Sequence, residues 1–170
     1  VRSALASGDM GFLHSFTTGS AVDGPGVRVV AWTAGCMWRC LYCHNPDTWT
    51  ITNGLPVPVA RAADELRKYR DGLRVMKGGF TLSGGEPLMQ HRFAAKLLAA
   101  SKGMGIHTAI ETNGYFGDKL SDGEIEALDL VLLGIGLAVY GALFAWVGAQ
   151  FKYPLITGLV FAFGWEQGIM

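Results

Sequence analysis

The chain has 170 residues, and its 14 basic and 14 acidic side chains give a formal net charge of zero. That balance excludes a protein that binds nucleic acids through a basic surface, and the length is sufficient for one domain with its own core. Three cysteines are an odd number, and the first residues lack the pattern of a secretory signal. We therefore expect a reducing, cytoplasmic compartment.

Charged residues are distributed unevenly along the chain. Residues 134–170 contain only two of them, Lys152 and Glu166, whereas every other charged side chain precedes residue 134. This contrast predicts an α/β domain over residues 11–133 and a hydrophobic, helical segment over residues 134–170. Residues 1–10 contain no long apolar run and are predicted to be a disordered leader.

Strand-like and helix-like patterns alternate from residue 27 to residue 133. Apolar, β-branched runs predict strands, and apolar side chains at helical spacing predict helices. Ser121 and Glu124 fit a capping box that opens a short helix. The alternation predicts a parallel sheet with right-handed crossovers. The predicted strands are residues 27–33, 80–82, 106–111 and 129–133, and the predicted longer helices are residues 60–73 and 91–102.

Three polar segments each follow a predicted strand directly. They are residues 36–44, 83–86 and 111–114. The carboxyl ends of parallel strands lie at one edge of a sheet, which is where α/β proteins place their chemistry. We therefore expect the three segments to form one site.

The first of these segments contains all three cysteines of the chain, Cys36, Cys40 and Cys43. Four thiolates would close a tetrahedral zinc site or complete a [4Fe–4S] cluster. Three thiolates leave one metal position open, and an open position is typical of a working metal site rather than a structural one.

Three other interpretations of these cysteines remain open. Residues 40–44 match the C-x-x-C-H pattern of covalent haem attachment, although Cys36 would then have no role. A Cys3His zinc site with His44 would require the adjacent residues Cys43 and His44 to bind the same ion. The three thiols could also be inert and buried.

The spacing of the cysteines, together with Tyr42, resembles the C-x3-C-x-aromatic-C signature of the radical S-adenosylmethionine (SAM) enzymes. Other segments between residues 11 and 133 resemble one branch of these enzymes, the pyruvate formate-lyase activating enzymes. The segments that carry this resemblance are Ser15-Phe16, residues 22–28, Gly35-Cys36, and residues 39–45, 47–49, 83–86 and 112–114.

The resemblance implies a truncated partial (βα) barrel with about four βα units. It implies that Cys36, Cys40 and Cys43 hold a [4Fe–4S] cluster whose fourth iron chelates SAM. Reductive cleavage of SAM would give a 5′-deoxyadenosyl radical, which would take a hydrogen atom from a glycine of a partner enzyme. The implied partners are a glycyl radical enzyme of the pyruvate formate-lyase type and an electron donor such as flavodoxin or ferredoxin.

The resemblance also implies roles for residues near the cysteines. Tyr42 would lie against the adenine of SAM, and His44 would touch SAM. Gly84 and Gly85 lack a Cβ atom and would let the backbone approach a ligand closely. Glu86 would accept a charge-assisted hydrogen bond from the methionyl ammonium group.

Two further roles are implied for acidic residues. Glu111 and Thr112 correspond to a monovalent-cation site beside the SAM carboxylate. Asp23 would lie near the glycine loop of the partner enzyme.

The resemblance ends where the hydrophobic segment begins. Gly134 stands where the family has an Asp that helps to bind the cation. Residues 131–151 carry no charge, and as a helix they would reach about 30 Å, enough to cross a bilayer. Two alternative functions follow: a non-catalytic, truncated or chimeric remnant associated with a membrane, or a related activase such as an anaerobic ribonucleotide reductase activator.

Overall fold

A single mixed sheet organises the chain in this computed structural model, which describes residues 1–41, 43–126 and 128–133. The six strands lie in the order β3-β1-β2-β4-β5-β6. They are β1 (Met10–Ser20), β2 (Arg28–Thr33), β3 (Leu55–Pro58), β4 (Gly79–Gly84), β5 (His107–Thr112) and β6 (Leu130–Leu133). The helices are α1 (Arg2–Ser7), α2 (Val59–Arg67), α3 (Arg70–Val75), α4 (His91–Gly103) and α5 (Asp122–Ile125).

The centre of the sheet is parallel, as the alternating pattern predicts. β2 pairs with β4 and β4 pairs with β5 in parallel, so that Val30 lies opposite Thr81 and Thr81 lies opposite Ala109. Helices α2 and α3 lie between β2 and β4 in the chain, and α4 lies between β4 and β5. The mixed α/β architecture agrees with a partial barrel, although β1 and β3 add antiparallel pairings that were not predicted.

The antiparallel strands correct the prediction of a purely parallel sheet. β1 covers a stretch for which the sequence predicts no strand, and the second half of β1 is largely exposed. β3 is short and pairs with the beginning of β1, where Gly11 lies opposite Val57. Neither strand contains a run of buried β-branched residues, so the local pattern that identified β2 is absent from both.

The first residues also differ from the disordered leader that the sequence predicts. They form α1, and Gly8, which caps the end of this helix, has a positive φ of 80°. Arg92 Nη1 donates to Ala6 O at 2.6 Å, and Lys96 Nζ lies 2.6 Å from an oxygen of Asp9. Arg92 and Lys96 both belong to α4, so residues far along the chain hold this segment in place.

The two faces of the central sheet differ in polarity. One face carries Phe80, Leu82 and Ile110, which are buried in the core with Phe93 and Leu97 of α4. Because side chains alternate along a strand, the residues between them point to the opposite face. That face carries the polar side chains Arg28, Thr81, Ser83, His107 and Glu111.

Two predictions about helices have different outcomes. The capping box at α5 is confirmed, with Ser121 and Glu124 in reciprocal hydrogen bonds. The single helix predicted for residues 60–73 is two helices, because α2 ends at Arg67 and α3 begins at Arg70.

The hydrophobic helix predicted for residues 134–170 lies outside the described residues. Within the part of the chain that is described, no helix has the length and apolar character needed to cross a membrane.

Candidate functional site

Three loops meet at the carboxyl edge of the parallel strands. Gly85 N donates to Thr33 O at 2.9 Å, and Glu86 N donates to Gly35 O at 2.9 Å. Asn113 N donates to the Glu86 carboxylate at 2.9 Å. The loops that follow β2, β4 and β5 are therefore joined by direct hydrogen bonds, as the positions of the three polar segments predict.

Glu86 lies at the centre of this junction and is 1% exposed. Its Oε1 accepts hydrogen bonds from Leu88 N at 2.9 Å and from Thr112 Oγ1 at 2.6 Å, and its Oε2 accepts from Asn113 N. These three donors stabilise a carboxylate that would otherwise be costly to bury. A carboxylate offers about four acceptor positions, so one position remains for a further donor.

The two glycines before Glu86 are required by the packing of the loops against each other. A Cβ atom on Gly85 would lie 2.3 Å from Gly35 O, and one on Gly84 would lie 2.5 Å from Thr33 N. Gly84 also has a positive φ of 107°, which strongly favours glycine. These glycines therefore allow close packing against the backbone of residues 33–35, whereas the approach to a ligand stays a prediction.

The base of the cysteine loop is held by backbone hydrogen bonds. Gly35 N donates to Thr48 O at 2.8 Å, and Cys36 N donates to Trp49 O at 2.9 Å. Arg39 Nη1 donates to Cys36 O at 2.8 Å, and its guanidinium lies 4.7 Å from the centre of the Trp49 ring. Cys36 is thus attached to the short 3₁₀ helix Pro46–Thr48 and its flank.

The three thiols are free and differ in exposure. Cys36 and Cys43 are half-buried, whereas Cys40 is exposed. Burial raises the pKa of the Cys36 thiol, a hydrogen bond from the backbone of Trp38 partly opposes that shift, and the negative charge of Glu86 adds to it. A positively charged partner, such as an iron centre, would stabilise the thiolate form of Cys36.

The donor set of this loop fits a [4Fe–4S] cluster. Three thiols lie within one short loop, and thiolates are the usual protein ligands of such clusters. In the described part of the chain, no three His, Cys, Asp or Glu side chains are placed to hold a metal ion. The assignment therefore rests on the chemistry of the donor set and on its spacing in the sequence, not on the placement of the side chains.

The remaining predicted SAM contacts lie at or beside these loops. His44 is exposed and follows Cys43 directly. Tyr42 lies outside the described residues. Thr112 connects the loop after β5 to Glu86, and its Oγ1 also accepts a hydrogen bond from Gly114 N at 3.0 Å.

Glu111 lies on the polar face of the sheet, where the charge of Asp23 in the preceding loop influences it. Ser83 Oγ donates to the Glu111 carboxylate, and Ser20 Oγ donates to the Asp23 carboxylate. Burial raises the pKa of Glu111, the hydrogen bond from Ser83 partly opposes that shift, and the charge of Asp23 adds to it. A cation bound near Glu111 would relieve this repulsion; the cation site itself stays a prediction from the sequence.

Replacing Glu111 with Gln is expected to stabilise the protein at neutral pH. The pKa of Glu111 is raised in the folded state, so the protonated carboxyl favours folding at low pH. That contribution is lost as the pH rises through the interval between the unfolded and the raised folded pKa. Urea unfolding should therefore show a gain for Glu111→Gln at neutral pH and a smaller difference below the ordinary glutamate range.

The matched control is Glu126→Gln, which makes the same chemical change at an exposed position. It should alter the free energy of unfolding little at either pH. A Glu111→Gln variant that is less stable than the parent protein at neutral pH would show that the ionised carboxylate is favoured in the fold.

Two connections at the site had no role in the sequence prediction. Gln90 Oε1 accepts from Phe12 N at 2.7 Å, and its Nε2 donates to Phe12 O at 3.0 Å and to Ala34 O at 2.9 Å. The rings of Trp38 and Tyr115 pack edge to face with centroids 5.6 Å apart. Gln90 thereby ties the base of the cysteine loop to β1, and the two rings join that loop to the loop after β5. No local pattern identifies either connection.

Comparison with known proteins agrees with these features. Residues 22–138 match the protein family described as a 4Fe-4S single cluster domain. The chain is 41% identical over 128 residues to pyruvate formate-lyase 1-activating enzyme of Escherichia coli (strain K12), covering 74% of this chain and 52% of the relative.

Two further relatives carry the name pyruvate formate-lyase-activating enzyme. The one from Listeria monocytogenes (strain EGD-e) is 41% identical over 133 residues, which cover 74% of this chain and 53% of the relative. The one from Staphylococcus aureus (strain USA300) is 46% identical over 104 residues, which cover 61% of this chain and 41% of the relative. The chain spans about half the length of the first relatives. The resemblance predicted from the sequence is confirmed over this span.

Proposed function

Because this chain belongs to the 4Fe-4S single cluster domain family, we propose that it acts as a radical SAM activating enzyme for a glycyl radical enzyme. In this proposal Cys36, Cys40 and Cys43 bind three irons of a [4Fe–4S] cluster, and SAM occupies the fourth. The observation that carries the proposal is the junction at Glu86, which brings a three-thiol loop against a buried carboxylate. The relatives' names support the same assignment.

A bound [4Fe–4S] cluster would supply the single electron that cleaves SAM reductively. The task of the protein is to orient SAM and to exclude water. Glu86 suits the methionyl ammonium group because one acceptor position remains on its carboxylate. His44 and Tyr42, which adjoin Cys43, are proposed to contact SAM.

The other loops have proposed roles of their own. Gly84 and Gly85 keep the loop after β4 close to the cysteine loop, so that SAM can bind across both. Glu111 and Thr112 are proposed to bind a monovalent cation. Asp23 is proposed to contact the glycine segment of the partner, from which a hydrogen atom is removed.

The partner proposed for this site is a glycyl radical enzyme of the pyruvate formate-lyase type, with flavodoxin or ferredoxin as the electron donor. The relatives' names support this partner class. The domain division at residues 11–133 and 134–170, the membrane contact of the second segment and the cytoplasmic location remain predictions from the sequence.

Anaerobic reconstitution of the full chain with iron and sulfide tests the proposal. We expect about four irons per chain and a brown protein whose reduced form has an electron paramagnetic resonance signal that changes when SAM is added. Reduced protein should convert SAM to methionine and 5′-deoxyadenosine. A colourless protein that holds one zinc ion would overturn the proposal, and a cluster without SAM cleavage would favour the non-catalytic alternative.

A further inference from the structure

Arg28 is the largest fully buried side chain among the described residues. It is the first residue of β2, and its guanidinium makes hydrogen bonds in four directions. Nε donates to Thr81 Oγ1 at 2.9 Å, Nη2 donates to Phe80 O at 2.5 Å, and Nη1 lies 3.4 Å from Pro25 O and 3.1 Å from His107 Nδ1. None of these four partners is a carboxylate.

Burying a guanidinium that has no carboxylate as a direct hydrogen-bond partner is unfavourable for the charge. Burial lowers the pKa of Arg28, and the charges of Asp129 and Asp23 oppose that shift only in part. An apolar residue at this position would avoid the cost. The reason for a charged side chain here therefore lies in the hydrogen bonds that Arg28 makes with its neighbours.

The direction of the hydrogen bonds links Arg28 to the loop that precedes it. A guanidinium can only donate, so Thr81 Oγ1 accepts from Nε. The hydroxyl hydrogen of Thr81 is then available to Asp23 O, which lies 2.7 Å away. Asp23 O is thus held through Thr81, and Pro25 O is approached by the guanidinium itself.

The loop of residues 23–26 is shaped to lie close to this side chain. Gly24 and Gly26 have positive φ angles of 129° and 70°. A Cβ atom on Gly24 would lie 3.2 Å from Arg28 Nε, and one on Gly26 would lie 2.2 Å from Lys77 O. The loop backbone is therefore pressed against the guanidinium on one side and against the turn before β4 on the other.

We propose that Arg28 and Thr81 are positioning residues that hold the 23–26 loop against the polar face of the sheet and so fix the location of Asp23. The inference rests on the proposed function in one respect, namely that Asp23 contacts the glycine segment of a partner. It adds a mechanism for that contact: the acidic residue is held in place before the partner arrives, which reduces the ordering cost of binding.

Two variants of Thr81 separate the hydroxyl from the rest of the side chain. Thr81→Val keeps the shape and the strand propensity but removes the hydroxyl, leaving both Arg28 Nε and Asp23 O without this partner. Thr81→Ser keeps the hydroxyl. The backbone order parameters of Gly24 and Gly26, measured by ¹⁵N relaxation on the cluster-free full chain, report the mobility of the loop directly.

In the parent protein and in Thr81→Ser, we expect order parameters of about 0.85, and in Thr81→Val values below about 0.6. Retained order in Thr81→Val would overturn the inference. If Thr81→Val does not fold, Arg28→Lys is the second variant: it keeps the charge but cannot reach Thr81, Phe80 and Pro25 together. Retained loop order in Arg28→Lys would overturn the inference equally.

A peptide-binding experiment tests whether the position of the loop affects the proposed contact with the partner. The probe is a synthetic peptide carrying the glycine segment of a pyruvate formate-lyase, added to the reconstituted full chain with SAM. Thr81→Val should weaken its binding about tenfold, as should Asp23→Asn, while iron content stays unchanged and Thr81→Ser behaves as the parent. If Thr81→Val makes the loop mobile but binds the peptide as tightly as the parent protein, the claim that a fixed loop favours peptide binding is overturned. If Asp23→Asn also leaves binding unchanged, the failure lies in the partner contact of the proposed function.

Discussion

Simultaneous replacement of Cys36, Cys40 and Cys43 with Ala is expected to abolish iron–sulfur binding by the reconstituted chain. The reason is that these are the only cysteines in the sequence, and thiolates are the protein ligands that such a cluster requires. Iron should fall from about four atoms per chain to none. Iron and acid-labile sulfide analysis, together with the visible absorption spectrum, measures the loss.

A matched control comes from the same loop. Met37 is 57% exposed beside Cys36, and Met37→Ala should retain the full iron content because it removes no ligand. Single Cys→Ala variants should each lose most of the cluster, since two thiolates cannot hold it firmly. Full iron content in the triple variant would mean that other residues bind the metal and that the three cysteines have a different role.

Glu86→Gln is the second change for which we expect a large effect. Whichever way the amide is oriented, its NH₂ group replaces an oxygen that now accepts from a backbone N–H, either Leu88 N or Asn113 N. One buried donor is then left facing another donor. Losing a hydrogen bond to a charged group and leaving a buried donor unsatisfied should destabilise the protein by about 3 kcal/mol.

The measurement is the free energy of unfolding from urea denaturation at neutral pH. Glu111→Gln makes the same chemical change at the neighbouring strand and is expected to move stability in the opposite direction, which makes it a stringent control. In reconstituted protein, Glu86→Gln should also weaken SAM binding because the junction between the three loops is disturbed. A Glu86→Gln variant as stable as the parent would show that the carboxylate charge does not hold this junction.

The strands illustrate what local patterns can predict. The sequence predicts β2 because residues 27–33 form a largely apolar, β-branched run just before the cysteines. In the structure Val29, Val30 and Ala31 of this run are buried. β1 was missed because its residues are partly exposed and its pairing with β2 includes irregular register shifts. β1 lies between β3 and β2 and pairs with both through backbone groups, and these neighbours are not visible in its own sequence.

The helices show a similar limit. The capping box at Ser121 and Glu124 is a local device, and it was predicted correctly. The break between α2 and α3, at Lys68 and Tyr69, contains neither Gly nor Pro, so nothing in the local sequence marks it. Likewise, α1 is held by Arg92, a residue of α4 more than eighty positions away in the chain.

The amino-acid sequence by itself determined the chemistry available to this protein. The spacing of Cys36, Cys40 and Cys43 specifies three thiolates on one loop, and the motif ending at Glu86 specifies a second polar loop after a strand. These features depend only on residue type and on positions close together in the chain, so a pattern can reveal them.

Tertiary structure decided how these parts are joined. Glu86 accepts hydrogen bonds from Thr112 and Asn113, which follow it by 26 and 27 residues, and Arg28 reaches the 23–26 loop through Thr81, 53 residues away. Such partners are selected by strand register and by the need to satisfy buried polar groups, and both arise only when distant segments pack together. For that reason Glu86 could be predicted from the sequence as a site residue, whereas its role in joining the loops, and the hold that Arg28 and Thr81 exert on Asp23, could not.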